Sequence, residues 1–154
     1  FGAEVTGVCS TRNVDLIRSL GADHVIDYTK ENFTSNEKKY DLLLDIAGGY
    51  TWSEYKKILT PNAKVIIIGG PKKNRLVGPL GNVLKMKIAS WFSSQKVIFF
   101  IAQFNKEDMF FIKELLESGK VKPFVEKTYP LDKIKEAMSH LGTGHAQGKS
   151  VITM

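Results

Sequence analysis

The sequence holds a single cysteine, Cys9, among 154 residues. One thiol excludes an internal disulfide framework. It cannot by itself build a structural zinc site either, which takes at least two cysteines or a cysteine–histidine cluster. Long apolar runs are also missing. The longest, Val97-Ile98-Phe99-Phe100-Ile101-Ala102, has the length of a buried strand and falls far short of the roughly 20 residues of a membrane-spanning helix. His24, His140 and His145 share no ligand spacing with one another, so no metal is expected in this chain. Neither common phosphate loop is present: there is no G-x-G-x-x-G and no G-x-x-x-x-G-K-[ST]. Ser10 lacks the glycines of a nucleophile elbow. No catalytic residue, and no general acid or base, is nominated from the sequence.

What is present describes a folded chain. Hydrophobic residues make up 43% and aromatics 10%, enough to offset the entropy of ordering and to exclude a disordered segment. The length suits one ordinary domain with a sizeable core. Lys and Arg outnumber Asp and Glu by 22 to 16, a net charge of +6. The one modest cluster is Lys72, Lys73, Arg75, Lys85 and Lys87. Such charge admits nucleic acid, a phosphorylated ligand or an acidic surface, and scattered lysines also serve solubility alone. The opening, Phe1-Gly2-Ala3-Glu4-Val5, has no basic region or signal-like segment and runs at once into a strand pattern. It reads as a chain entered in the middle.

Strand-length apolar runs alternate with helix-period segments. Strands are expected at 4–9 (EVTGVC), 24–27 (HVID), 41–47 (DLLLDIA), 64–68 (KVIII) and 96–102 (KVIFFIA). Helices are expected at 13–20, with Ser10 or Thr11 as cap and Gly21 as stop, and from a capping box at Thr51-Trp52-Ser53-Glu54 that places Trp52, Tyr55, Ile58 and Leu59 on one face. Two more are expected at 79–91 and at 106–118, between Asn105 and Gly119, the latter burying Met109, Phe110, Phe111, Ile112, Leu115 and Leu116. Residues 29–39 read as a loop or weak helix. A tail of strand 125–129, helix 132–141 and strand 150–153 follows. The alternation marks an α/β parallel sheet with helices on both faces, plus a C-terminal α+β tail.

Ligands of open parallel sheets bind at the carboxyl ends of strands. Here those ends are Cys9-Ser10-Thr11-Arg12, Asp27-Tyr28, Ala47-Gly48-Gly49, Gly69-Gly70 and Ala102-Gln103. A dinucleotide site that grips ribose hydroxyls carries Asp or Glu at the first of these. Ser10-Thr11-Arg12 stands there instead, and hydroxyls with a guanidinium suit a 2′-phosphate, hence NADP over NAD. A second reading stays open, with Ser10 or Thr11 a helix cap and Arg12 a solvated side chain. Cys9 reads as a small buried hydrophobe.

The segments Val5-Thr6-Gly7-Val8-Cys9-Ser10-Thr11-Arg12-Asn13, Leu20-Gly21-Ala22-Asp23 and Val25-Ile26-Asp27-Tyr28 resemble the medium-chain dehydrogenase/reductase superfamily. The likeness is to its quinone-oxidoreductase-like, zinc-binding-dehydrogenase branch. Asp45-Ile46-Ala47-Gly48-Gly49, Leu59-Thr60-Pro61-Asn62-Ala63-Lys64, Ser118-Gly119-Lys120-Val121-Lys122-Pro123, Tyr129-Pro130-Leu131 and Gly144-His145-Ala146-Gln147-Gly148-Lys149 continue it in order. The resemblance implies an incomplete Rossmann-type sheet over residues 1–122. Residues 123–154 would be a segment that in the family packs on a catalytic domain, and that domain and the first Rossmann strand would lie outside this chain. It implies the cofactor-binding portion of an NADPH-dependent oxidoreductase of quinone, enone or alcohol type, cytoplasmic and inactive as this fragment alone. Ser10, Thr11 and Arg12 would hold the 2′-phosphate, Tyr28 would stand by the adenine ribose or phosphate, and Ala47 and Gly48 would line the cleft. Gly69, Gly70 and Ala102 would lie toward the nicotinamide. Any zinc ligands would lie in the catalytic domain. The expected partners are a small-molecule substrate and a second copy joined through the strand at 96–102, with no membrane. A non-catalytic binding module for RNA or protein is the alternative.

A Rossmann sheet of order 3-2-1-4-5-6 without its first strand has a gap at its centre. Buried edges there would leave backbone groups unpaired, at about 1–3 kcal/mol each. The strand at 4–9 is therefore expected to pair with that at 41–47, unless the tail or another chain fills the gap.

Overall fold

A computed structural model describes residues 1–69 and 78–154, with the side chains of residues 78–80 and 82 left undescribed. In chain order the elements are β1 (Thr6–Cys9), α1 (Val14–Ser19), β2 (His24–Asp27), β3 (Tyr40–Asp45), α2 (Trp52–Lys57), β4 (Leu59–Ile67), α3 (Gly78–Ala89), β5 (Lys96–Ile98), α4 (Lys106–Glu117), β6 (Val125–Pro130), α5 (Ile134–Gly142) and β7 (Lys149–Thr153). They divide between two compact units. One comprises Phe1–Val25 with Phe104–Met154, and the other Ile26–Gln103. The strands form ladders β1-β2, β3-β4-β5 and β6-β7. The first two have the strand orders of the two arms of a doubly wound sheet.

The second unit holds the larger core. β3, β4 and β5 run parallel, with Leu43 opposite Val65 and Val65 opposite Val97. Parallel neighbours need crossover connections, and α2 supplies the first of them. Trp52 and Tyr55 on α2, Leu59, Ala63, Val65 and Ile67 on β4, and Val83 and Met86 on α3 make one buried cluster. Phe33 meets Tyr50 edge-on and Tyr50 meets the buried Tyr55 at a tilt, with ring centroids 4.8 and 5.8 Å apart.

The start of α2 follows from four residues. The Glu54 carboxylate accepts hydrogen bonds from the Thr51 backbone N–H and hydroxyl, both 2.7 Å. Those bonds, the backbone one foremost, hold the Glu54 carboxyl below the usual glutamate range. A carboxylate whose pKa is depressed by folding contributes stability above its unfolded pKa, and loses that contribution as pH falls through the lower folded value. Wild type should therefore melt above Glu54→Gln at pH 6, and the difference should shrink as pH falls below the ordinary glutamate range, as read by circular dichroism.

In the first unit, β6, α5 and β7 form a parallel β-α-β unit. Tyr129 and Ala137 are buried within it. Asn105 accepts the Glu107 N–H at 2.9 Å and caps α4, and Gly119 ends that helix region with φ 69°. Gly21 follows α1 at φ 97°, the left-handed geometry that the sequence assigns it.

Several sequence expectations are corrected. No pairing of β1 with β3 occurs among the described residues, and β6 and β7 pair with each other. The expected penalty assumed buried edges, whereas Val8, Leu42 and Leu44 are 42%, 51% and 53% exposed, so water reaches these strands. β3 ends at Asp45 rather than residue 47, because the Asp45 carboxylate turns the chain there. β5 ends at Ile98 rather than residue 102, since its ladder follows β4, whose last β5 partner is Ile66. Leu59 belongs to β4 and not to the α2 face. Pro61-Asn62 breaks the β3–β4 register, with Asn62 at φ 66°. Residues 29–39 contain one 3-10 turn, Phe33–Ser35, begun by Asn32 accepting the Thr34 N–H. α4 buries no residue among those described: Met109, Phe110, Phe111 and Ile112 are each about half exposed, where helix spacing predicts a buried face.

Candidate functional site

β1 ends in a tight turn. Cys9 is buried, Ser10 is extended (φ −79°, ψ 159°), and the Asn13 N–H closes onto the Ser10 carbonyl at 2.9 Å. Thr11–Asn13 form a single 3-10 turn that leads into α1. Ser10 and Asn13, at the two N-cap positions, make no side-chain capping bond. The Ser10 hydroxyl is thus not spent as a helix cap. Arg12 is exposed, and among the described residues no carboxylate stands within ion-pair distance of its guanidinium.

The chain's last loop braces this turn. Gln147 Nε2 donates to the Arg12 carbonyl at 3.2 Å and to Asn13 Oδ1 at 2.6 Å. The Gln147 backbone N–H donates to Glu126 Oε2 at 2.8 Å, and His140 Nε2 lies 3.1 Å from the same oxygen. His140 and the Gln147 N–H together hold the Glu126 carboxyl below the usual range, with a smaller contribution from the Arg12 charge. Gly148 follows at φ 81°, packed so closely on Phe124 that a Cβ would strike the Phe124 carbonyl. Sequence reasoning missed this brace. The only local hint was Gln147-Gly148, a glycine that needs left-handed backbone beside an amide, and Asn13 is 134 residues away.

The remaining expected residues lie in the second unit. Tyr28 follows β2 and is 54% exposed. Beside it the buried Asp27 accepts both the Thr29 N–H and its hydroxyl, with Lys30 at 3.6 Å. At the carboxyl ends of β3 and β4 the chain is organised by Asp45. Its Oδ1 accepts the Gly48 N–H at 2.7 Å, and its carbonyl accepts the N–H groups of Ile68 and Gly69 at 2.8 and 3.2 Å. Gly48 and Gly49 are both left-handed, at φ 69° and 108°. Gly69 lies so close to Ile46 that any Cβ would collide with the Ile46 carbonyl oxygen. Ala47 and Gly48 follow the carboxyl end of β3, and Gly69 that of its ladder neighbour β4. Burial, with the Asp45 charge adding, pushes the Tyr55 phenol far above its ordinary range, so it does not titrate near neutrality. Ala102 lies exposed in the coil beyond β5 rather than at a strand end. Gly70 and the basic residues Lys72, Lys73 and Arg75 lie outside the described residues.

A family model described as zinc-binding dehydrogenase matches residues 20–152. The chain is 33% identical over 152 residues to a chloroplastic protein of Triphysaria versicolor named quinone-oxidoreductase QR1, covering 96% of this chain and 44% of that protein. It is also 33% identical over 159 residues to an Arabidopsis thaliana protein named NADPH-dependent alkenal/one oxidoreductase, chloroplastic, covering 99% and 34%. Among solved structures, the quinone oxidoreductase from Coxiella burnetii superposes with a TM-score of 0.79 at 21% identity, over 99% of this chain and 45% of that one. That likeness establishes the doubly wound α/β fold. The chain spans less than half the length of these relatives. Both curated names carry a chloroplast address, where the sequence reading expected cytoplasm. No described helix is long and apolar enough to cross a membrane.

The residues of this chain do not fit zinc. Among the described residues no three His, Cys, Asp or Glu side chains converge. Cys9 is buried, and His24 and His140 are engaged by Glu4 and Glu126 at 2.7 and 3.1 Å.

Proposed function

The chain belongs to the zinc-binding dehydrogenase family, and from that premise we propose that it is the cofactor-binding part of an NADPH-dependent oxidoreductase acting on a quinone or an enone. The observation that carries this reading is the turn after β1. An extended Ser10 with its hydroxyl unused in capping, and an exposed Arg12, stand where a ribose-gripping site would place a carboxylate. NADPH, when bound, supplies a hydride to the carbon conjugated with the acceptor's carbonyl, or to a quinone. Arg12 would bind two oxygens of the 2′-phosphate through its planar fork, and the Ser10 and Thr11 hydroxyls would donate to others. In the second unit, Tyr28 would stand by the adenine ribose or phosphate, while Ala47, Gly48 and Gly69, beyond the carboxyl ends of β3 and β4, would let a flat ligand reach backbone. The same reading keeps a homodimer, joined through β5, which is an edge strand of its ladder.

Support for the reading comes from three things: the family match, a relative named for NADPH, and hydroxyls beside an arginine, a chemistry that suits phosphate. Titration of the natural protein with NADPH and with NADH, followed by nicotinamide fluorescence, tests it. NADPH should bind more tightly by at least about tenfold, the worth of one charge-assisted pair. Equal affinities would remove the 2′-phosphate assignment.

A further inference from the structure

The brace on the Ser10–Arg12 turn has a feature that the fold alone does not require. α1 does not use the Asn13 side chain as a cap, yet Asn13 Oδ1 receives a short hydrogen bond from Gln147. The same amide group holds the Arg12 carbonyl. Gln147 is itself fixed on both sides. Its backbone N–H is held by Glu126, which His140 on α5 engages, and after it the left-handed Gly148 brings the Lys149 N–H onto the Phe124 carbonyl at 2.9 Å. A side chain anchored in this way spans from the tail to the turn and fixes the backbone that aims Arg12.

We propose that Gln147 is a positioning residue for cofactor choice: by tying down Arg12 and Asn13 it presets the turn that receives the 2′-phosphate, and so sets the preference for NADPH over NADH. This rests on the NADPH reading given above. A preformed turn loses less freedom when it closes on a ligand than a mobile one. NADPH and NADH differ only at the 2′-phosphate, so the effect falls on one cofactor and not the other. A purely structural role would weaken both together.

The test uses two variants of the natural protein. Gln147→Met keeps the length and the backbone N–H to Glu126 but removes the amide, and Asn13→Ala removes the other end of the same contact. Each should raise the Kd for NADPH about fivefold and leave that for NADH within about twofold, both variants remaining folded with only a modest fall in melting temperature. The double variant should lose no more than the larger single loss, because one contact is removed twice. An unchanged ratio of NADPH to NADH affinity in both folded variants, or an equal loss for both cofactors, overturns the proposal. Should the natural protein itself show no preference for NADPH, the 2′-phosphate reading fails first and takes this inference with it.

Discussion

Replacing Arg12 by alanine is expected to lower NADPH affinity by about ten- to a hundredfold and to leave NADH affinity within about twofold. A guanidinium paired with a phosphate makes charge-assisted hydrogen bonds worth about 1.5–3 kcal/mol, and the loss falls only on the cofactor that carries the phosphate. Arg12→Lys should fall between, since an ammonium keeps the charge and loses the fork. Folding should be unaffected, because the Arg12 side chain is exposed, and it is the carbonyl, kept in every variant, that Gln147 binds. Isothermal titration with both cofactors reads the difference. Equal losses for NADPH and NADH would mean that Arg12 supports the turn and does not contact the phosphate.

The second large effect is on stability. Gly69→Ala is expected to destabilise the protein by about 3–5 kcal/mol, as measured by urea denaturation. The ends of β3 and β4 meet where Gly69 lies against the Ile46 carbonyl, and backbone on both sides leaves no flexible side chain to yield. Relief requires the strand ends to part. That loosens the two N–H bonds from Ile68 and Gly69 to the Asp45 carbonyl, at roughly 1 kcal/mol each, on top of overpacking strain of about 1–3 kcal/mol. Gly49→Ala makes a useful control. Its position is left-handed but open around the absent Cβ, so only backbone strain of about 1–2 kcal/mol should appear. If Gly69→Ala proves no worse than Gly49→Ala, the close approach at the strand ends is not a constraint. Gly69 would then be free for a purely ligand-facing role.

Which features could be read from the residues follows from how far apart their causes lie. The α2 capping box, the Asn105 cap of α4 and the left-handed Gly21 are each decided within four residues, and each is found where the sequence places it. β2 likewise matches its short pattern from His24 to Asp27. The misses are tertiary. Residues 99–102 have the composition of a strand, yet the β5 ladder stops at Ile98, opposite Ile66 and one residue before β4 itself ends. Phe110 and Phe111 have helix-core spacing, but spacing does not say how far neighbouring elements cover them, and both stay about half exposed among the described residues. At the gap the expectation is β1–β3 pairing, a tail strand or another chain; among the described residues β1 and β3 do not pair, and the tail strands β6 and β7 pair with each other.

The candidate site divides along the same line. Ser10, Thr11 and Arg12 could be nominated from the sequence because the chemistry after a first strand is local: a carboxylate there suits ribose, and an arginine suits phosphate. Gly48 was legible as a turn glycine, though not the reason that Asp45 makes the turn, which takes a carboxylate reaching three residues ahead to a backbone N–H. Gln147, Glu126 and His140 were invisible as a group, since nothing in a stretch of six residues near the chain's end points to a turn near its start. Ala102 was named on the strength of a strand that is shorter than its apolar run.

The central claim is that the turn after β1 takes the 2′-phosphate of NADPH. A crystal structure of the natural protein with NADPH bound tests it most directly. The account predicts the 2′-phosphate within hydrogen-bonding distance of the Arg12 guanidinium and the Ser10 hydroxyl, with Gln147 still bonded to the Arg12 carbonyl. A bound cofactor whose 2′-phosphate lies out of reach of Arg12 would contradict it.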